Sequence, residues 1–205
     1  SVKGKEKMGR LFVLNLELIS DIDNLAFDDV VGQQVTIVLV LDEYNNKERF
    51  FNGYITEFKY LGFDGKYNRY HAKVRPWLWL LTRTSDCRIF QNKKVPDIIK
   101  EVFKLNNMVN YRLIIGDQYR VWENCVQYNE SDFDFVSRLM EQEGIYYYFE
   151  HEENKHVMVL TDGSRAHEKY PDYEKIQFDQ GFYLNSSHNS LDTWAAKQSI
   201  KPNRY

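Results

Sequence analysis

The stretch "CVQYNESDFDFVSRLMEQEGIYYYFEHEE" (residues 125–153) contains a full set of helix signals followed by four consecutive aromatic residues. Ser131 is a suitable N-cap, and Asp134, three residues later, predicts a capping box. Gly144 is the expected stop because glycine readily adopts the left-handed backbone conformation. The predicted buried stripe of this amphipathic helix consists of Phe135, Val136, Leu139 and Met140. The residues predicted to face water are Arg138, Glu141 and Gln142.

A β-hairpin is predicted to follow this helix. The segments "IYYYFEH" and "HVMVLTD" flank the polar turn "EENK". Side chains alternate along a strand, so Tyr146 and Tyr148 lie on one face and Tyr147 and Phe149 on the other. Aromatic residues on both faces predict a sheet that is covered on both sides.

The acidic residues of the opening stretch are better explained by local structure than by catalysis. Asp132 and Asp134 flank a helix start, where carboxylates accept hydrogen bonds from unpaired backbone N–H groups. The other acids are predicted to be surface charges near the helix end and the turn: Glu141, Glu143, Glu150, Glu152 and Glu153. A glycosidase pair stays open as an alternative because the separation of two carboxylates in space is not readable from sequence.

No metal, cofactor or nucleophile site is predicted. His151 and His156 in "HEENKH" are five residues apart, which would place them about 140° apart around a helix. The zinc-protease motif needs histidines at i and i+4, so the metal interpretation fails. Cys87 and Cys125 adjoin apolar, strand-like sequence, which favours structural thiols. No nucleotide-binding glycine motif and no nucleophile elbow is present.

Composition narrows the possible function classes. The 205 residues are 43% apolar and 28% charged, with a net charge of −3 and no basic stripe, which argues against a nucleic-acid surface. No apolar run approaches the roughly 18 residues of a membrane span, and the N-terminus lacks the apolar core of a signal peptide. Two cysteines are too few for a disulfide framework. These features predict a cytosolic chain with reduced thiols.

The fold class is predicted to be mixed β and α+β, in three parts. Residues 1–81 are predicted to form an antiparallel β-barrel of strands, with Asp64-Gly65 as a type I′ hairpin turn and Trp77 and Trp79 on one face of a strand. Two tryptophans on one strand face are more often part of a core, so we predict a core position for them. A sugar-binding surface is the alternative.

Residues 82–171 are predicted to form an inserted α/β domain. A helix in "VPDIIKEVFKLNN" has Pro96 in its first turn and buries Ile98, Ile99, Val102 and Phe103. A strand pair, "YRLIIG" with "ENCVQYN", is predicted to follow it.

Residues 172–205 are predicted to start a second, incomplete barrel, with strands in "EKIQFD" and "TWAAKQSI". No closing element is predicted in the last residues, "KPNRY".

Two segments carry a resemblance to a known family. "RPWLWLLTRTSDCRIFQNKKVPDIIKEVF" and "YNESDFDFVSRLMEQEGIYYYFEH" resemble the N-terminal part of the VgrG family of type VI secretion spike proteins, relatives of the contractile-phage tail baseplate hub. Lys94 departs from the Ser or Thr often found there as a helix cap, so a frayed helix start is expected. The family-motif residues, all with expected structural roles, are Arg75, Pro76, Trp77, Trp79, Phe90, Gln91, Pro96, Tyr128, Ser131, Asp132, Phe133, Asp134, Phe135, Arg138, Leu139, Glu143 and Gly144.

The resemblance implies a mechanical function without catalytic residues, cofactor or metal. Family members form homotrimers that sit on a ring of haemolysin-coregulated protein (Hcp), bind a tip protein and carry effectors. They assemble in the cytoplasm and are then secreted through the type VI apparatus. The 205 residues include no glycine-patterned needle, so we expect a truncated spike base that is monomeric or weakly associated on its own.

Three other interpretations remain open at this point. One is a phage-tail baseplate hub protein, which needs the same base. Another is a β-rich carbohydrate-binding module, motivated by the aromatic content of 16%. The third is an effector enzyme, whose catalytic domain would lie beyond residue 205.

Overall fold

The chain is described here from a computed structural model. The structure describes residues 1–23, 25–42, 47–116 and 118–167, together with residues 177–178, 190–191 and 195. Contacts divide the chain into two compact units, Ser1–Ala166 and His167–Tyr205.

The first unit opens with a five-stranded antiparallel sheet that curls into a half-barrel. Its strands are β1 (Val2–Lys5), β2 (Val13–Ser20), β3 (Gln34–Asp42), β4 (Lys47–Phe63) and β5 (Asn68–Arg75). Their order across the sheet is β1-β2-β5-β4-β3. Strand β5 alternates buried and more exposed positions along its length, as a half-buried strand should. Two register shifts between β4 and β5 bend the sheet.

The curled sheet packs closely around Gly53 of β4. A Cβ at this position would lie 2.6 Å from Val74 Cγ1 and 2.9 Å from the Arg75 carbonyl oxygen. Only glycine lets the two strands approach this closely.

The turn between β4 and β5 differs from the predicted type I′ turn. Gly65 has a φ of +96°, but Asp64 is not among the described residues with positive φ. The Asp64 carboxylate instead accepts hydrogen bonds from the backbone N–H groups of Lys66 and Tyr67 at 3.0 and 2.9 Å. The hairpin position was predicted correctly, whereas the turn type was wrong because the aspartate side chain organises a longer loop.

The run "WLWLL" is a 3-10 helix, Trp77–Arg83, and not the predicted strand. Trp77 is buried, while Trp79 is half-buried between the guanidinium groups of Arg75 and Arg83, at 4.8 and 4.6 Å from its ring centroid. The two tryptophans therefore do not share a strand face. The prediction failed because a short apolar run does not distinguish a strand from a helical turn.

The rest of the first unit mixes helices and strands. Its elements are β6 (Ser85–Lys94), α1 (Val95–Leu105), β7 (Tyr111–Ile114), β8 (Val121–Ser131), α2 (Asp132–Glu143), β9 (Tyr146–His151) and β10 (His156–Thr161), with a 3-10 turn at Ser164–Ala166. Both predicted helices are confirmed, including the buried stripe of each one. Lys94 precedes α1 and provides no side-chain capping hydrogen bond.

The predicted pairing of "YRLIIG" with "ENCVQYN" is wrong. Strand β7 pairs in parallel with β10, and β8 pairs antiparallel with β6. The predicted hairpin of β9 and β10 is confirmed as an antiparallel pair. Every residue of β10 is buried, which agrees with the prediction of a sheet covered on both faces.

One hydrophobic cluster runs through the whole first unit. It joins residues of β2 and β5 to those of α1, α2, β9 and β10. The boundary predicted at residue 81 falls inside the 3-10 helix Trp77–Arg83. The division into residues 1–81 and 82–171 stays a prediction.

The second unit contains a short parallel pair, β11 (Gln177–Phe178) with β12 (Ser190–Leu191). Strand β11 lies within the predicted strand "EKIQFD". The predicted strand "TWAAKQSI" and the segment "KPNRY" lie outside the described residues, apart from residue 195. The start of a second barrel therefore stays a prediction.

Candidate functional site

The start of α2 forms the predicted cap. Ser131 Oγ accepts a hydrogen bond from the Asp134 backbone N–H at 3.0 Å, and the same hydroxyl donates to Asp134 Oδ2 at 2.6 Å. Gly144 ends the helix with a φ of +69°. Ser131 as the N-cap and Gly144 as the stop are confirmed, whereas the reciprocal bond of a capping box is replaced, because the Asp134 carboxylate accepts from the Ser131 hydroxyl and not from its backbone N–H.

Asp132 is fully buried and does not act as the predicted capping residue. Its carboxylate accepts hydrogen bonds from four side chains: Thr84 Oγ1 at 2.9 Å, Arg88 Nη1 at 2.9 Å, Asn106 Nδ2 at 2.9 Å and Gln127 Nε2 at 2.8 Å. Thr84 directly precedes β6, Arg88 lies within β6, Asn106 directly follows α1, and Gln127 lies in β8. One side chain therefore joins four elements, and we call this group the Asp132 network.

The charge of Asp132 is stabilised by its donors. Burial alone would raise the pKa of this carboxyl group, because a charge is poorly solvated in the interior. Hydrogen bonds from Gln127, Asn106 and Thr84, together with the Arg88 guanidinium, outweigh that effect and lower the pKa. The network thus holds an ionised carboxylate in the core with its hydrogen-bonding capacity used.

Other family-motif residues also join neighbouring elements. Arg138 bonds both carboxylate oxygens of Glu130 at 2.7 to 3.1 Å and donates to the Val126 carbonyl at 2.7 Å. Phe90 of β6 stacks on Phe135 of α2 with ring centroids 5.5 Å apart. These contacts hold α2 against the antiparallel pair of β6 and β8.

The remaining motif residues are spread over the first unit. Leu139 is buried in the stripe of α2 and Phe133 is half-buried, whereas Gln91 and Tyr128 are exposed. Pro96 lies in the first turn of α1, and Pro76 precedes the 3-10 helix. The residues assigned from the motif are therefore not gathered at one cleft. Their functional roles stay a prediction.

A second buried network, which sequence reasoning missed, lies around His156. His156 Nδ1 is 2.9 Å from Asn52 Oδ1, and His156 Nε2 accepts a hydrogen bond from the Trp77 backbone N–H at 2.9 Å. Since Nε2 accepts, the proton of the neutral ring lies on Nδ1 and is donated to Asn52. Burial, and secondarily the nearby His151, lowers the pKa of His156 to about 3.

The same network docks the β9–β10 hairpin onto the curled sheet. Asn52 donates its backbone N–H to His151 Nδ1 at 3.0 Å, and Gln34 donates to Asn52 Oδ1 at 2.8 Å and to the Asn154 carbonyl at 3.0 Å. Thr36 Oγ1 donates to the Glu153 carbonyl. The turn "EENK" is therefore a docking element, and its two flanking histidines are structural.

The described residues include no group of three His, Cys, Asp or Glu side chains placed to hold a metal ion. Glu150 pairs with Arg112 at 2.7 Å, and Glu143 lies 3.4 Å from the Trp122 indole nitrogen. Cys125 is buried, which raises the pKa of its thiol, while Cys87 is exposed. Within the part of the chain that the structure describes, no helix is long and apolar enough to cross a membrane.

This arrangement is that of a structural protein whose buried polar groups join elements into one unit. The chain belongs to the phage tail baseplate hub (GPD) family, which matches residues 5–205. It is also similar to two type VI secretion spike proteins of Pseudomonas aeruginosa. VgrG1b is 46% identical over 177 residues, which cover 86% of this chain and 24% of that protein. VgrG1a is 40% identical over 201 residues, which cover 98% of this chain and 31% of that protein.

A solved structure also relates this chain to type VI secretion proteins. It is the E. coli c3393 protein, described as a component of the type VI secretion system with structural similarity to the bacteriophage T4 tail proteins gp27 and gp5. The TM-score is 0.75 at 26% identity, over 81% of this chain and 46% of that chain. The resemblance to VgrG proteins and the predicted fold class are thereby confirmed. The chain spans about a quarter to a third of the length of these spike-protein relatives.

Proposed function

We propose that this chain forms part of the base of a trimeric puncturing spike at the tip of a type VI secretion tube. The observation that carries the proposal is the 46% identity to VgrG1b over 86% of the chain. The geometry supports it, because the buried polar residues of both networks are used to join elements. A spike base must remain rigid while force passes through it, and such satisfied networks fix one packing arrangement.

The proposed partners are those that the family resemblance implies. Three copies of the complete protein would sit on an Hcp ring, and a tip protein and effectors would be attached further along the spike. A threefold spike on a sixfold ring requires two similar platforms in each chain, and the half-barrel of residues 1–75 would contribute to one of them. The protein would assemble in the cytoplasm and leave the cell through the apparatus.

A phage-tail hub is the second candidate, since the family that matches residues 5–205 is described by that role. Identities of 40 and 46% to secretion spike proteins favour the secretion spike. We infer no enzymatic role for residues 1–205.

A segment exchange tests the proposal in cells. Residues 5–205 would replace the matching segment of VgrG1b in a Pseudomonas aeruginosa strain in which release of Hcp into the medium depends on VgrG1b. We expect the chimera to restore release, and the same chimera with Leu139→Asp in the core to fail. The surface variant Leu105→Asp, at a side chain that is 56% exposed, serves as the matched control and should retain release. A chimera that accumulates as a folded protein but releases no Hcp would contradict the proposal.

A further inference from the structure

An open groove of about 600 Å³ lies beside the end of the β4–β5 hairpin. Four aromatic side chains line it, Phe27, Tyr60, Phe63 and Tyr70, together with Asp23 and Asn68. We call this the aromatic groove. Its volume lies within the range of small-ligand and peptide sites, and no role described above uses it.

Two aromatic rings of the groove pack against the protein interior, and three rings of the groove are also exposed to solvent. Tyr70 is 3% exposed and stacks on Phe58 with centroids 5.0 Å apart, and Phe27 packs edge-on against Phe58 at 5.3 Å. Phe27, Tyr60 and Phe63 remain 43, 45 and 60% exposed. The groove therefore presents preorganised ring surfaces to solvent.

The polar groups of the groove are almost fully used within the protein. Asn68 Nδ2 donates to the Ile22 carbonyl at 3.3 Å and to Asp23 Oδ1 at 2.9 Å, and Asn68 Oδ1 accepts from the Tyr60 hydroxyl at 3.1 Å. Among the described groove residues, the second oxygen of Asp23 and the Tyr70 hydroxyl make no hydrogen bond within the protein, and Asp23 is the charged one of the two. A sugar would need several free donors and acceptors, whereas one carboxylate among aromatic faces suits a cation.

The acidic residues near the groove also favour a cationic ligand. The segment of residues 20–32 contains four aspartates, at positions 21, 23, 28 and 29, and no lysine, arginine or histidine. Arg69 lies between Asn68 and Tyr70 on β5, so its side chain projects to the opposite face of the sheet. Asp23 is the one charged residue that lines the groove.

We propose that the aromatic groove binds a basic, apolar peptide segment of a partner protein. An arginine or lysine side chain lies over a ring of the groove with its charge near Asp23, and an adjacent apolar side chain packs on Phe63.

Fluorescence anisotropy with defined peptides tests the site. The probe is a labelled peptide of alternating arginine and leucine, and its matched control carries citrulline, which keeps the shape but removes the charge. We expect the 205-residue protein to bind the arginine peptide at least tenfold more tightly than the citrulline peptide. Phe63→Ala and Asp23→Asn should each weaken binding by roughly fivefold. Asp23→Asn should also reduce the dependence of binding on salt.

The control variant is Leu61→Ala. Leu61 lies between Tyr60 and Phe63 on β4 and is 46% exposed, but it does not line the groove. Binding by this variant should be unchanged, and thermal unfolding would show that all variants fold. Equal binding of the arginine peptide by every variant would overturn the proposal. Binding of chitohexaose that is lost in Phe63→Ala, without binding of the arginine peptide, would overturn it in favour of a glycan site.

Discussion

At the residue scale, two buried polar side chains hold the first unit together. Asp132 collects donors from residues as distant in sequence as Thr84, and His156 connects Asn52 of the curled sheet to the Trp77 backbone. Removing one member of such a network deprives each of its neighbours of one hydrogen bond in a poorly solvated interior. The loss of unfolding free energy is then larger than the loss expected when a surface contact is removed.

Two neighbouring aspartates provide a direct comparison of these costs. Asp132→Ala should lower the free energy of unfolding by about 3 kcal/mol, because Arg88 and three further donors each lose one hydrogen bond to a buried carboxylate. Asp134→Ala should cost about 1 kcal/mol, as expected for a capping contact. Urea denaturation of both variants would measure the difference. Equal losses would show that the Asp132 network contributes little beyond a cap.

The stability of the fold should fall in acid through His156. Its pKa is about 3 in the folded protein, below the value of about 6.5 for an unfolded chain. The contribution of the neutral ring is therefore fully present above pH 6.5 and is lost as the pH falls toward 3. The slope should approach about 1.4 kcal/mol per pH unit.

His156→Gln isolates this effect. The variant should be less stable at pH 7, and its unfolding free energy should fall less steeply between pH 6 and 4.5. His151, whose ring centroid lies 6.3 Å away, is present in both proteins, so the comparison isolates the change at position 156. Parallel pH profiles would mean that His156 is not the group responsible.

At the element scale, the sequence predicted what local signals determine. Ser131 and Gly144 mark the ends of α2, and the polar turn "EENK" marks the hairpin of β9 and β10. Strand partners were not predictable in the same way, because β6 and β8 meet across a separating helix. The role of Asp132 was missed for the same reason, since its donors Thr84 and Arg88 precede it by 48 and 44 residues. No local pattern carries that information.

The buried stripe of α2 should contribute strongly to stability through apolar packing. Leu139 is 1% exposed, so Leu139→Ala should cost roughly 2–5 kcal/mol by leaving a cavity. Leu105→Ala, at the exposed end of α1, should change the unfolding free energy by less than about 0.5 kcal/mol. Chemical denaturation of the pair would decide this. A cost at Leu139 no greater than at Leu105 would contradict the packing of α2 described here.

At the scale of the whole molecule, residues 1–166 form one packed unit. The half-barrel, the two helices and the docked hairpin share one hydrophobic cluster. Trimer contacts are expected to depend on a glycine-patterned needle, which the 205 residues do not include. The 205-residue chain alone should therefore be monomeric or weakly associated and should not sediment with Hcp rings. Light scattering that showed a tight trimer would mean that the base carries its own oligomer contacts.

The most direct test of the spike-base account uses the purified VgrG1b chimera that contains residues 5–205 of this chain. Light scattering would give its mass, and electron microscopy with stacked Hcp rings would show where it binds. The account predicts a trimer that caps one end of the stack. A chimera that is folded and trimeric, yet leaves the ends of the rings bare, would contradict it.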